Sequence, residues 1–171
     1  MVELPTVKFC YLKERFVMVK RFIIVRGLPG GGKSFLAEKL KKNFEENDLT
    51  CSVLTTDDFF VHNNQYNFDG SLLSVAHPWN LGRVIRSMMI ETDVIIVPNT
   101  STQAWEIKEY YKNAMKFGYS FDIKEPETSW KFDIEECAAK NSHGVGVDII
   151  EKMLDRWEST EDVLKTLTGN V

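Results

Sequence analysis

The sequence contains few cysteines, no long apolar run and no basic tract, and each shortage excludes a class of protein. Its 171 residues include only 3 cysteines, which are too far apart for a C-x-x-C redox motif or a zinc finger. We therefore expect reduced thiols and no structural zinc. No stretch of about 18 apolar residues predicts a transmembrane helix, and the start of the chain lacks the apolar core of a signal peptide. We expect a cytoplasmic or nuclear protein with no membrane partner.

Charge and apolar content are both ordinary for a single globular domain. The 25 acidic and 21 basic residues give a net charge of −4 and are well mixed along the chain. Non-specific attraction to a nucleic acid backbone is therefore not expected, and any contact with nucleic acid must be local. With 43% hydrophobic residues, the chain can bury a core. We predict one domain over residues 22–171, preceded by an N-terminal strand or extension over residues 1–21.

The strongest motif is a glycine-rich segment that directly follows a short apolar run. Residues 22–25 are aromatic and β-branched, as expected of a buried strand. Gly27, four further residues and then Gly32, Lys33 and Ser34 match the phosphate-loop pattern G-x-x-x-x-G-K-[ST]. Apolar residues then recur at helical spacing. The segment therefore predicts a strand, a phosphate-binding loop and the start of a helix; the alternative is a glycine-rich turn before an ordinary helix.

Each residue type in this loop suits a bound triphosphate. Glycine allows several backbone N–H groups to converge on phosphate, and the following helix N-terminus adds a partial positive charge. Lys33 can reach the β and γ phosphates, and the Ser34 hydroxyl can be a ligand of Mg²⁺. We therefore predict ATP or GTP and Mg²⁺ as cofactors, without a choice between the two nucleotides. The predicted nucleotide-binding residues are Gly27, Gly30, Gly31, Gly32, Lys33, Ser34 and Phe35.

Strands and helices alternate along the rest of the chain. The predicted strands cover residues 22–25, 51–55, 93–97 and 119–124. The predicted helices cover residues 33–47, 104–117, 133–141 and 147–157, with one more opened by Pro78 and another beginning at Thr160. This alternation is typical of an α/β fold with a parallel sheet and helices on both faces. Together with the phosphate loop, it predicts a P-loop NTPase.

A series of further motifs follows the loop in unbroken order. They occupy residues 26–34, 55–60, 66–69, 76–80, 99–106, 125–131 and 140–144. Together they resemble the kinase-like module of the Nedd-four-binding-protein-two-like family, which is similar in turn to the kinase domain of phage-type polynucleotide 5′-hydroxyl kinases. The resemblance implies a nucleoside- or polynucleotide-kinase-like fold. It also implies phosphoryl transfer from ATP or GTP to a hydroxyl acceptor, such as the 5′-hydroxyl end of a nucleic acid.

The resemblance also assigns roles to individual residues. Asp57 matches the carboxylate that accepts the proton of the attacking hydroxyl, and a carboxylate at a strand end near the γ-phosphate suits that role chemically. The alternative for Asp57 and Asp58 is a turn or a helix N-cap, and Asp58 otherwise supports the loop or a metal-bound water. Lys140 and His143 match lid arginines that stabilise the transferring phosphoryl group. Lys140 equally suits a solvated helix end, and His143 a plain turn.

This sequence departs from the family pattern in ways that leave two functions open. Pro98 replaces an aspartate, so Mg²⁺ would depend on Ser34, the nucleotide, water and the acids at 57 and 58. Lysine and neutral histidine are also poorer phosphate ligands than arginine. Arg83 is a candidate for binding an anion of the acceptor, or is a surface cation. The chain is thus predicted to be a kinase, with Asp57, Asp58 and Arg83 on the acceptor side, or a nucleotide-binding module that acts through a protein partner.

Overall fold

The computed structural model describes residues 19–169, which form two sheets and a set of surrounding helices. The strands are β1 (Arg21–Val25), β2 (Cys51–Val53), β3 (Val61–His62), β4 (Gln65–Tyr66), β5 (Val94–Val97) and β6 (Ser120–Lys124). The α helices are α1 (Lys33–Glu45), α2 (Leu73–Met89), α3 (Ala104–Lys116), α4 (Ile134–Lys140), α5 (Val147–Asp155) and α6 (Thr160–Thr168). Short 3₁₀ helices cover Thr56–Phe60 and Gly70–Leu72. The strand or hairpin predicted before β1 lies outside the described residues.

The main sheet has four parallel strands in the order β2-β5-β1-β6. In its centre, Ile24 of β1 lies opposite Val97 of β5 and Ile123 of β6. Because the strands are parallel, their carboxyl ends meet at one edge, where α/β proteins place their ligands. The loops that leave this edge include residues 26–32, 54–55, 98–103 and 125–133. The predicted parallel sheet is confirmed.

Helices cover both faces of this sheet, as predicted. Phe22 and Ile24 of β1 point into a core that α2, α3 and α6 complete, whereas Ile23 and Val25 face α1. A smaller core around Leu28 joins the glycine-rich loop to α4 and α5. The continuous apolar sequence of β1 follows from this arrangement, since a strand buried on both faces has no solvent side.

Some element boundaries differ from the predicted ones. Pro78 was expected to open a second helix, but it lies inside α2. The helix continues because Ser74, whose carbonyl loses its partner to the proline, is exposed and can bond to water. Strand β2 ends at Val53 rather than at Thr55, because the Thr55 hydroxyl accepts a hydrogen bond from the Asp57 N–H and caps the 3₁₀ helix.

The polar segment after this 3₁₀ helix forms a small hairpin. Strands β3 and β4 pair antiparallel through Val61 with Tyr66 and His62 with Gln65. Asn63 and Asn64 form the turn with positive φ angles of 51° and 61°, as two-residue hairpin turns require. Among residues 19–169, none of the helices is both long and apolar enough to cross a membrane.

Candidate functional site

The glycine-rich loop joins the end of β1 to the start of α1. Gly30 and Gly32 have positive φ angles of 75° and 102°, which glycine adopts without strain. No side chain caps α1, so the N-terminus of this 13-residue helix can accept an anion. The Gly27 N–H donates to the Thr100 carbonyl at 3.2 Å. The loop is thus tied to the neighbouring strand end and has the backbone that a phosphate site needs.

The segment after β6, residues 125–131, contacts the glycine-rich loop through two hydrogen bonds. The Thr128 hydroxyl donates to the Gly31 carbonyl at 2.9 Å, and the Trp130 indole N–H donates to the Gly30 carbonyl at 3.2 Å. Both donors lie about a hundred residues along the chain from their acceptors. Sequence reasoning missed this pair, although both residues belong to the motif at 125–131. They fix the conformation of the loop before any ligand binds.

Close packing makes Gly30 a sensitive position, and we predict that Gly30→Ala destabilises the protein. A Cβ at residue 30 would lie 2.1 Å from the Cys137 carbonyl oxygen. Gly118 has nearly the same φ, 73°, but a Cβ there meets no described atom within 4 Å. We expect Gly30→Ala to lower the free energy of unfolding by about 2–4 kcal/mol. Gly118→Ala should cost only the backbone strain, about 1–2 kcal/mol. Equal losses in urea unfolding would contradict this prediction.

Lys33 begins α1 and folds back onto the loop. Its ammonium donates to the Leu28 carbonyl at 2.9 Å. Burial lowers the pKa of Lys33 to about 8, and the nearby Asp57 carboxylate partly opposes this shift. The side chain is therefore a desolvated cation beside the predicted phosphate site, where a negatively charged ligand would favour its protonated form.

Ser34 and Phe35 follow in the first turn of α1, and both are exposed. Among residues 19–169, no cluster of three or more histidine, cysteine or acidic side chains could hold a metal ion. A Mg²⁺ ion needs no such cluster, because it keeps several waters and binds through one or two protein oxygens and the phosphates of its substrate. The Ser34 hydroxyl therefore fits the ion, although it cannot hold it without a nucleotide.

Asp57 and His143 come together across the edge of the sheet. Asp57 belongs to the 3₁₀ helix after β2, and His143 belongs to the loop between α4 and α5. The His143 Nε2 lies 3.7 Å from the Asp57 Oδ2. Since Asp57 also acts on the pKa of Lys33, three of the predicted catalytic residues share one site. The N-cap alternative fails for Asp57, because Thr55 caps this 3₁₀ helix.

Tyr66 completes this group and was not singled out by sequence reasoning. Its ring centre lies 4.4 Å from that of the His143 imidazole. Burial, reinforced by the charge of Asp57, raises the pKa of Tyr66 to about 12. The tyrosine is therefore neutral and serves as an aromatic support for the histidine. The motif at residues 66–69 was the only signal in the sequence.

Asn99 joins the ends of two neighbouring strands. Its side-chain amide donates to the Thr56 hydroxyl at 2.9 Å and accepts from the Thr56 N–H at 3.1 Å. Pro98, just before it, is buried and offers only its carbonyl, to the Thr55 hydroxyl at 3.4 Å. The residue before Asn99 thus contributes no carboxylate, and Asn99 positions Thr56, the residue before Asp57.

The remaining predicted site residues, Lys140 and Arg83, are each paired with an acidic side chain. The Lys140 ammonium lies 3.1 Å from the Glu136 carboxylate and 4.9 Å from the centre of the Trp130 ring. Arg83 forms an ion pair of 2.8 Å with Asp58. Lys140 must leave Glu136 to reach a transferring phosphate, and Arg83 and Asp58 largely neutralise each other.

The chain matches known proteins over most of its length. The model of the AAA domain matches residues 22–164. NEDD4-binding protein 2 of Homo sapiens is 41% identical over 149 residues, which are 87% of this chain and 8% of that protein. This chain thus spans a small part of that relative.

Two solved structures share the fold. One is the Pnkp1/Rnl/Hen1 RNA repair complex, with a TM-score of 0.59, 17% identity, and coverage of 93% of this chain and 48% of the matched chain. The other is Kti12 of Chaetomium thermophilum in complex with ADP-AlF3, with a TM-score of 0.60, 15% identity, and coverage of 81% and 80%. These similarities confirm the predicted P-loop kinase-like fold and the family resemblance.

Proposed function

This chain belongs to the AAA domain family, and from that premise we propose that it is a kinase for hydroxyl groups. It binds ATP or GTP with Mg²⁺ and transfers the γ-phosphoryl group to an acceptor such as the 5′-hydroxyl end of a polynucleotide. The observation that carries the proposal is the meeting of Lys33, Asp57 and His143 beside the glycine-rich loop. Kinases of this fold need a phosphate clamp, a cation and a carboxylate at one point.

The donor nucleotide is held by the loop and by the start of α1. Backbone N–H groups of the loop and the helix N-terminus bind the phosphate oxygens. Lys33 exchanges the Leu28 carbonyl, its present partner at 2.9 Å, for the β and γ phosphates. Ser34 would hold Mg²⁺, which supplies charge neutralisation on the phosphates when it is bound.

The acceptor hydroxyl is activated by Asp57. Its carboxylate takes the proton as the acceptor oxygen bonds to the γ-phosphorus, and the bond from that phosphorus to the β–γ bridging oxygen breaks to release the nucleoside diphosphate. His143, held against Tyr66, and Lys140 are the candidate hydrogen-bond donors to the oxygens of the transferring group. Asp58 and Arg83 lie on the acceptor side as a preformed ion pair.

The proposal is tested by transfer of labelled γ-phosphate from ATP or GTP with Mg²⁺. Acceptors are 5′-hydroxyl DNA and RNA oligonucleotides and free nucleosides, with the 5′-phosphorylated oligonucleotides as controls. We expect label at the 5′ end of the hydroxyl substrates and none on the controls. A protein that binds the triphosphate but labels none of these acceptors would contradict the proposed acceptor class.

A second function, a nucleotide-binding module with weakened transfer, is favoured by Pro98 and by the paired state of Lys140. Such a module would use the bound nucleotide to stabilise a surface for another protein. Its distinguishing feature is triphosphate binding without transfer to any acceptor. The name of NEDD4-binding protein 2 describes a protein that binds another protein, which supports a protein partner for this module.

The Pro98 position separates the two functions, because it can be given a carboxylate. If the missing acid limits the kinase, Pro98→Asp should lower the Mg²⁺ concentration for half-maximal transfer by about tenfold. Pro98→Asn is the matched control, since it also removes the proline ring but adds no charge. Thermal unfolding of both variants checks that a polar side chain is tolerated at this buried position. If the two variants need the same Mg²⁺ concentration for half-maximal transfer, the absence of a carboxylate at position 98 does not limit the kinase.

A further inference from the structure

Helix α2 exposes a continuous stripe that the proposed chemistry does not use. Val75, Trp79, Gly82, Arg86 and Met89 recur every three or four residues, and all are exposed. Residues at this spacing lie on one side of a helix. The indole of Trp79 is 39% exposed in this stripe, and Val75 and Met89 are more than half exposed. Together these side chains form a partly apolar surface that another molecule can cover.

Trp79 is held in a fixed orientation next to the acceptor side of the site. The Arg83 guanidinium lies 4.4 Å from the centre of its ring, a stacked cation–π contact. Arg83 is itself fixed by its ion pair with Asp58 and by donation to the Thr55 carbonyl at 3.3 Å. Asp58 is adjacent to Asp57 in the chain. The indole is thus connected through one ion pair to the segment that carries the proposed base.

Gly82 leaves an open notch one turn from Trp79. A Cβ at this position would have no described atom within 4 Å, so the packing of the described residues does not require glycine. Glycine in a helix interior is less stable than alanine. Without a side chain, Gly82 leaves room for another molecule to approach the backbone of α2 closely. The notch and the indole together suit a flat, planar group.

The charge of α2 is opposite to that of the chain as a whole. Residues 73–89 contain Arg83, Arg86 and His77 and no acidic side chain, whereas the chain has a net charge of −4. The exposed Arg86 lies one turn beyond Gly82 on the same stripe. An aromatic surface with an adjacent cation is the combination that single-stranded nucleic acids bind, by base stacking and phosphate contact.

We propose that this stripe is a stacking track for a single-stranded nucleic acid acceptor. A base near the 5′ end stacks at Trp79 over the Gly82 notch, and Arg86 contacts a phosphate further along the strand. The terminal hydroxyl then reaches Asp57. This inference rests on the proposed function, because it takes the acceptor to be a polynucleotide. It adds the surface that would bind a strand more tightly than a free nucleoside.

The first test compares Trp79→Ala with Trp105→Ala. Trp105 is 71% exposed on α3 and lies outside the stripe, so it is a matched control for the loss of an exposed indole. Binding of fluorescent 5′-hydroxyl oligonucleotides is measured by anisotropy without triphosphate. We expect Trp79→Ala to raise the Kd about tenfold and Trp105→Ala to change it less than about twofold. Equal Kd values for the two variants would overturn the track.

The second test fills the notch without removing a contact. Gly82→Leu adds an uncharged side chain to open space, and Gly82→Ala is its control for helix propensity. Both should unfold at the same or a higher temperature than the wild type, so a folding defect does not confuse the result. We expect Gly82→Leu alone to weaken oligonucleotide binding, by about fivefold or more. Unchanged binding in Gly82→Leu would also overturn the track.

Further outcomes separate this inference from the proposed function. One outcome supports both the kinase and the track. In it, the wild type and Trp79→Ala transfer phosphate equally well to a free nucleoside, but the variant transfers less to oligonucleotides. Transfer to nucleosides with no oligonucleotide binding by the wild type keeps the kinase and overturns the track. Equal Kd values for duplex and single-stranded DNA would overturn the track as well. So would a dimer, detected by sedimentation, that Trp79→Ala abolishes.

Discussion

Lys33→Ala is expected to weaken ATP binding by about a hundredfold or more and to leave the protein folded. The substitution removes the ammonium group that lies against the loop, where it donates to the Leu28 carbonyl. The fold should survive, because the lost hydrogen bond to Leu28 is offset by relief of a desolvated charge. Titration calorimetry with ATP and Mg²⁺ measures the affinity, and thermal unfolding without ligand checks the fold.

Lys42→Ala is the matched control for this prediction. Lys42 lies on the same helix, is largely exposed and forms an ion pair with Glu46 at 3.8 Å. Its loss should change ATP affinity less than about twofold, since exposed charges are screened by salt. An affinity that is equal in the two variants would mean that the loop does not hold the triphosphate through Lys33.

The pH dependence of ATP binding gives an independent check on the same residue. The pKa of Lys33 is lowered to about 8 in the protein without ligand, so below that pH the side chain is already protonated. Above it, binding must take up a proton, and the affinity should fall as the pH rises. Lys33→Ala should lack this fall. A wild-type affinity that is constant between about pH 7 and 9 would contradict it.

Asp57→Asn is expected to lower the rate of phosphoryl transfer by about a hundredfold or more with ATP still bound. The amide has the shape of the carboxylate but cannot accept the proton of the acceptor hydroxyl. The local backbone should not move, because Thr55 caps this 3₁₀ helix through the N–H of residue 57 and not through its side chain. Single-turnover transfer of labelled γ-phosphate, at saturating ATP, isolates the chemical step.

Two controls make the result on Asp57 specific. Asp122→Asn removes an exposed acid that pairs with Lys124 on the edge strand β6, and it should leave transfer unchanged. ATP binding by Asp57→Asn is measured near pH 6, because the loss of this carboxylate lowers the pKa of Lys33 further. Transfer at the wild-type rate would show that Asp57 is not the base. A loss of ATP binding without a slower chemical step would show instead that Asp57 helps to bind the nucleotide.

The central part of the site could be predicted because its residues are close in sequence. The glycines, Lys33 and Ser34 lie together between the end of β1 and the start of α1, and the required backbone angles are a local property. Asp57 was also predictable as an acid after a strand, since carboxyl ends of parallel strands lie at the ligand edge. Pro78 shows the limit of local rules, because its effect on α2 depends on whether Ser74 meets solvent or protein.

Contacts between distant segments were not predictable. His143 comes within 3.7 Å of Asp57, and Tyr66 supports it, only because the α4–α5 pair packs over the loop through the core around Leu28. The pairing of Arg83 with Asp58 likewise joins two elements, and charge alone allowed several other partners for this arginine. The same holds for Thr128 and Trp130, whose donors reach the loop carbonyls from another part of the chain.

The sequence by itself determined the succession of strands and helices, the glycine positions that allow the backbone angles of the predicted phosphate loop, and the chemical types of residue available to the candidate site. These follow from hydrophobic periodicity and backbone sterics, which act over a few residues. The tertiary structure decided which of those side chains face one another, which cations are already paired, and that the stripe around Trp79 remains exposed beside the Arg83–Asp58 ion pair. Those outcomes depend on strand order and helix packing, because distances between remote segments are set by the whole core and not by any one motif.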